Sequence, residues 1–159
     1  MRSYNCSTER FPWKEAMNIL LATDGSNFSD AAAQNIAKLF RPLDNEVRVL
    51  TVVEPITTAV MPQMSPGYYP ELEDQKREAK ALVERVAKVL AEAGFKVSTS
   101  VLTGDAKTVI LDEAADWRAD LVVVGSHGRK GIGRFLLGSV SEAVARHTAC
   151  SVQIVRGRL

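Results

Sequence analysis

The apolar run Leu121-Val122-Val123-Val124 leads directly into Gly125-Ser126-His127-Gly128. After nine more residues, Arg129 to Leu137, comes Gly138-Ser139-Val140-Ser141. That order reads as a strand, a glycine loop and the start of a helix, and it commits the chain to an α/β architecture. Glycines let a backbone come close to an anion. The first turn of a helix offers unpaired N–H groups at the positive end of its dipole. The pattern points to a nucleotide, or at least an anion, as the ligand. A lone glycine pair is a weak signal that an ordinary turn also explains; the second motif at its offset strengthens it.

The rest of the chain is consistent with one domain. At 159 residues it is long enough to bury a real core, and 46% apolar with 25% charged residues is ordinary for a globular protein. A net charge of +1 gives no reason to expect nucleic acid or an acidic membrane surface as a partner. No apolar run approaches the roughly 18 residues of a membrane span. Residues 1–13 carry charge and Pro12 but no apolar block, so a secretory signal is not expected. Cys6 and Cys150 are too few for a disulfide scaffold and have no metal-ligand spacing. The cytoplasm is the expected compartment.

Residues 18–23, 47–53, 96–102 and 121–124 read as buried strands, with a fifth at 151–155. They are short and β-branched without strict alternation, as strands covered on both faces should be. Between them lie helical stretches at 31–40, 71–93, 106–117 and from Ser139 to about His147. Ser29-Asp30 is a candidate cap for the first of these. The second repeats Ala79, Leu82, Val83, Val86 and Leu90 at helical spacing, and Gly94 stops it. The third repeats Ala106, Ile110 and Ala114. Strands alternating with helices mean βαβ units, and right-handed crossovers then give an open sheet. Two segments stand apart. Residues 1–16 read as a flexible or loosely docked extension ahead of a domain at 17–159. Residues 54–70 hold Pro55, Pro62, Pro66, Pro70, Gly67 and Tyr68-Tyr69, a connection longer than βα loops usually need.

Three pieces of this chain resemble the universal stress protein family. They are Ile19-Leu20-Leu21-Ala22-Thr23-Asp24-Gly25-Ser26, the Gly104-Asp105 turn, and the block from Ala119-Asp120 through Ser141. The resemblance covers about residues 17–156. In that family, G-x-x-G followed by nine residues and G-S or G-T separates members that bind ATP from those that do not. Gly125, Gly128, Gly138 and Ser139 match that pattern. The resemblance implies a single open five-stranded parallel sheet in the order 3-2-1-4-5, Rossmann-like, with helices on both faces. Such an order reverses between the first and fourth strands, so the loops after Thr23 and Val124 flank one crevice.

Each candidate residue has a plainer reading beside the functional one. By resemblance Asp24 sits beside the nucleotide or holds Mg2+ on its phosphates; alone, it is a turn residue helping Ser26 to cap a helix. Gly125 and Gly128 would admit ribose and phosphate. Ser139 would give its hydroxyl and N–H to phosphate, joined by the N–H groups of Val140 and Ser141, and it is equally a plain N-cap. Arg129, Lys130 and Arg134 could neutralise phosphate or simply be solvated. His127 could touch the ligand or be an exposed bystander in a polar loop, and His147 suits the end of its helix. By resemblance alone, Ala22, Thr23, Val53 and Val124 flank the nucleotide, with the Val53 backbone reading the base edge. Tyr68 and Tyr69 would fold over the nucleotide or over a partner. Cys150 reads as a small buried filler at the start of the last strand. That strand, 151–155, would be a sheet edge, and by resemblance two copies join there as a homodimer.

The function implied is an ATP-binding stress-response or signalling module acting through nucleotide-dependent conformation or partner choice. A slow ATPase or phosphotransferase is a second reading, although no residue pairing identifies a general base poised on water. A nucleotide-free interaction scaffold is a third.

Overall fold

The computed structural model describes residues 16–55, 70–128 and 137–157. In chain order the elements are β1 (Met17–Ala22), α1 (Asn27–Leu39), a 3-10 turn (Pro42–Asp44), β2 (Asn45–Val53) and α2 (Pro70–Glu92). They continue with β3 (Lys96–Thr103), α3 (Ala106–Asp116), β4 (Leu121–Gly125), α4 (Ser139–His147) and β5 (Ser151–Val155). The sheet order is β3-β2-β1-β4-β5, and every neighbouring pair is parallel.

Successive side chains on a strand face opposite sides, so a strand covered on both faces needs apolar residues throughout. Ile19 and Leu21 of β1, with Val47, Val49 and Val123, join Ile36 of α1 and Val83, Val86 and Leu90 of α2 in one buried cluster. Leu20, Leu50, Val122 and Val124 face the other way, onto Ile110 and Ala114 of α3 and Val144 of α4. Ile19, Leu20 and Leu21 are fully buried. At about 1.5–3 kcal/mol per buried side chain, this tripeptide is one of the main anchors of both cores.

The outer strands depart from the expectation of burial. No residue of β3 is fully buried, because β3 is a sheet edge, with α2 packed over one of its faces. Cys150 lies one residue ahead of β5 and is half-buried, with Sγ 3.3 Å from Thr148 Oγ1. Other boundaries shift for local reasons. The first helix begins at Asn27, not at 31, because Ser26 rather than Ser29-Asp30 is the cap. The Ser26 hydroxyl accepts the Ser29 N–H, and Gly25 turns the chain with φ of +77°. Pro70 is the first residue of α2, a position where its missing N–H costs nothing. Gly94 ends α2 with φ of +95°, as expected for a glycine after a helix.

Among the described residues no helix is long and apolar enough to cross a membrane.

Candidate functional site

β1 and β4 are neighbours, but their following helices cross to opposite faces of the sheet, so a crevice opens beyond their carboxyl ends. A cavity of about 990 Å³ occupies it, at the upper end of the size range of ligand pockets. It is lined by Ala22, Thr23 and Asp24 after β1, by Val53 at the end of β2, and by Val124, Gly125, His127 and Gly128 after β4. Gly138, Ser139, Val140 and Ser141 at the start of α4 complete that wall. Two stretches about a hundred residues apart in sequence therefore share one cavity. Arg129, Lys130, Arg134, Tyr68 and Tyr69 fall outside the described residues.

Three helices begin beside this cavity, and their first turns differ. The first turn of α1 is closed by the Ser26 hydroxyl. At α3, Asp105 Oδ1 accepts the Thr108 N–H and hydroxyl, each at 3.0 Å, and Glu54 Oε1 accepts the Ala106 N–H at 3.2 Å. Those bonds hold the exposed Asp105 carboxyl below its ordinary value, the backbone N–H of Thr108 being the largest cause. α4 is different. Its cap is Gly138, which has no side chain to bond the N–H groups of Ser139, Val140 and Ser141. The cap and first turn of α4 line the cavity with no side-chain cap bond, and the acidic residue of that turn, Glu142, is paired with Arg146 at 2.8 Å.

The loop that presents this helix is tied from both sides. The Ser126 N–H donates to Val155 O at 2.8 Å, and Ser126 O accepts the Gly138 N–H at 2.8 Å. The buried Ser141 hydroxyl lies 3.1 Å from Ser126 O and 2.9 Å from Gly138 O, so it is spent on holding α4 to the loop. Gly138 packs closely here: a Cβ on it would lie 3.2 Å from Ser126 O.

The two loop glycines have different neighbours. A Cβ on Gly125 would fall 2.8 Å from Phe28 C and 2.9 Å from Ser29 N, which are backbone atoms of α1. Gly125 thus lets the first turn of α1 rest against the end of β4, a packing role that the motif alone did not reveal. A Cβ on Gly128 would instead meet Asp24 Oδ2 at 2.9 Å. Asp24 Oδ1 accepts the Ser26 N–H at 3.0 Å, so the turn reading of Asp24 describes one of its oxygens while the other faces Gly128 across the cavity.

Thr23 is buried and belongs to the scaffold. Its N–H donates to Leu50 O at 2.8 Å, its carbonyl accepts the Thr51 hydroxyl at 2.8 Å, and its own hydroxyl is 3.1 Å from Ser29 Oγ. His127 is half-buried rather than an exposed bystander: its ring centroid is 5.2 Å from that of Phe28, and Nδ1 is 3.2 Å from Ser126 Oγ. Val53 O already accepts the Gly104 N–H at 3.0 Å, so the Val53 backbone points toward β3. Strand backbones alternate between their two neighbours. Leu50 O faces β1, where it meets Thr23 N–H, and the backbone of Val52, two residues on, faces the same side just past the end of β1. Val52 lines the cavity and was missed from sequence, where nothing separates it from Val53. Leu82 of α2 and Ile110 of α3 also line it, positions legible only as helix periodicity.

Among the described residues no cluster of three or more His, Cys, Asp or Glu could hold a metal by itself. Asp24 is a hard oxygen donor beside Gly128, in a cavity that Glu54 and Glu78 also line. That suits Mg2+ bound through one carboxylate and a ligand's phosphates.

Comparison with known proteins agrees with this architecture. A universal stress protein of Methanocaldococcus jannaschii is 32% identical over 139 residues, spanning 87% of this chain and 81% of that one. The solved structure of the hypothetical protein MJ0577 superposes with a TM-score of 0.78 at 28% identity, covering 90% of this chain and 97% of the other. A universal stress protein from Arabidopsis thaliana, solved with AMP bound, shares the fold at a TM-score of 0.61 and 24% identity, covering 89% and 92%. The family model of the universal stress proteins matches residues 15–156. This chain therefore belongs to the universal stress protein family.

Proposed function

We propose that this protein binds an adenine nucleotide, ATP with Mg2+, in the crevice between β1 and β4, and acts in the cytoplasm as a stress-response or signalling module. Its output is the difference in conformation or partner choice between the empty and the loaded state. The observation that carries this reading is the start of α4: three N–H groups, a glycine cap and a positive dipole end open onto a cavity of about 990 Å³. The acid-capped α3 beside it would repel an anion, so the phosphates belong at α4.

In this reading the N–H groups of Ser139, Val140 and Ser141, with the Ser139 hydroxyl, hold the phosphate tail. Gly128 admits it beside Asp24. Ala22, Val124 and the backbone of Val52 flank the base, with the Val53 side chain behind. Bound at Asp24, Mg2+ would neutralise phosphate charge. The relative solved with AMP supports an adenine nucleotide as the ligand to test first.

Binding rather than turnover is favoured because Asp24, the carboxylate beside Gly128, would be occupied by Mg2+. β5 is the sheet edge beyond β4, with Val152 and Ile154 half-buried, and the reading includes a homodimer formed along it. Denaturing the purified protein and weighing the released small molecules tests the ligand, and calorimetry with Mg-ATP gives its affinity. Absence of both co-purified nucleotide and measurable heat would overturn the proposal. Phosphate accumulating linearly with time would favour the ATPase, and sedimentation equilibrium reads the dimer.

A further inference from the structure

Phe28 is the second residue of α1 and does not line the cavity, yet it touches two structures that meet there. Its ring is tilted 47° against His127, centroid to centroid 5.2 Å. Its backbone lies under Gly125, closely enough that a Cβ there would come within 2.8 Å. On its far side is Gly157, just beyond β5, where a Cβ would lie 3.4 Å from Phe28 Cδ1 and 3.7 Å from Cε1. Val155 at the end of that edge strand accepts the Ser126 N–H, and Ser126 in turn accepts the Gly138 N–H. The glycine loop is therefore held between the first turn of α1 and the tail of the edge strand, with Phe28 between them.

We infer that Phe28 is a positioning residue: it sets the glycine loop for nucleotide binding and ties that loop to the end of the edge strand. This rests on the adenine-nucleotide reading of the crevice. A loop of glycines and small residues has many conformations in solution, and one that must present backbone N–H groups to a ligand binds better when its geometry is fixed beforehand. Backbone bonds fix Ser126, and the Ser26 hydroxyl donates to the His127 carbonyl at 3.5 Å. The His127 side chain is held by the Phe28 ring on one side and by Ser126 Oγ at Nδ1 on the other, and Gly128 follows it. Because the same ring rests on Gly157, a shift of the loop on ligand binding must be felt at the sheet edge.

The test uses the full chain. In calorimetry with Mg-ATP, Phe28→Leu, which keeps apolar volume but removes the ring, weakens binding about five- to tenfold, while Phe28→Tyr stays within about twofold of wild type. The loss from Phe28→Leu with His127→Ala is smaller than the product of the single losses, because the two rings act as one unit. In proton NMR the chain has two histidines, and exposed His147 serves as the internal reference. Removing the Phe28 ring moves the His127 resonance and leaves that of His147 in place. In wild type, Mg-ATP shifts both His127 and the Gly157 amide. Wild-type binding with unchanged affinity in Phe28→Leu overturns the positioning role alone. A shifted His127 with an unmoved Gly157 overturns the tie to the edge, a result that needs no variant to fold. Absence of wild-type binding overturns this inference and the nucleotide reading together.

Discussion

Gly128 and Asp24 face each other across the crevice so closely that a Cβ on Gly128 would sit 2.9 Å from Asp24 Oδ2. The approach is backbone against the tip of a side chain, and that distinction decides what substitution there should do. Gly128 is exposed and needs no left-handed backbone, so a larger residue can be accommodated by a small rotation of the Asp24 carboxylate. Gly128→Val should therefore leave thermal stability within a few degrees of wild type but fill the space beside Asp24. Mg-ATP affinity in calorimetry should fall at least about tenfold, the equivalent of about 1.4 kcal/mol. Unchanged affinity would remove Gly128 from the site.

Gly125 should behave in the opposite way. Its added Cβ would meet Phe28 and Ser29 backbone atoms at 2.8–2.9 Å, which cannot rotate aside. Gly125→Ala should cost about 1–3 kcal/mol of stability through overpacking between α1 and β4, measured by urea unfolding. A variant as stable as wild type would show that α1 shifts freely against the sheet.

Ser139→Glu separates stability from binding by sign. A carboxylate in the first turn of α4 is favourable to the helix dipole, by about 0.3–1 kcal/mol, because Gly138 supplies no cap. The same charge repels a phosphate. The melting temperature should hold or rise while Mg-ATP affinity drops at least about tenfold. Retained affinity would place the phosphates elsewhere.

Asp24→Ala should make nucleotide binding less dependent on magnesium, read by repeating the titration with the metal chelated. Asp24 Oδ1 also accepts the Ser26 N–H at the entrance to α1, so a modest loss of melting temperature accompanies the substitution. An identical metal dependence in both proteins would confine Asp24 to its turn role.

Asp105 gives a pH-dependent prediction that is independent of ligand. Its carboxyl is held below the ordinary value of 3.8 by the Thr108 N–H, so the ionised form favours the folded state. That contribution is fully present above the unfolded value and is lost as pH falls through the lower folded one. The melting temperature of Asp105→Ala should lie below wild type near neutral pH, and the gap should close below pH 3.8. A gap that persists in strong acid would mean that the cap acts through packing rather than charge.

Much of the architecture was readable without coordinates, because it depends on neighbours in sequence. The runs at Ile19-Leu20-Leu21 and Leu121 to Val124 are apolar at every position, which marks strands covered on both faces, and both lie in the middle of the sheet. Gly94 and Ser139 sit where the chain-local rules of helix ends put them. The same rules misplaced the start of α1, since Ser26 and Ser29 are both acceptable caps. The choice fell to Ser26 because Gly25 and Asp24 turn the chain there.

The amino-acid order by itself determined the alternation of strands and helices and the offset between the two glycine motifs, because both arise from local backbone preferences and hydrophobic periodicity. Only the tertiary structure decided that Gly125 rests on Phe28 while Gly128 faces Asp24, that Val53 is turned toward β3 and Val52 toward the crevice, and that α4 alone of the helices beginning there keeps an uncapped first turn lining the cavity. Those outcomes join residues far apart in sequence, about a hundred positions where Ser26 meets the His127 carbonyl. Which of two adjacent, chemically similar residues faces a site is set by strand register and sheet order, and periodicity does not encode either.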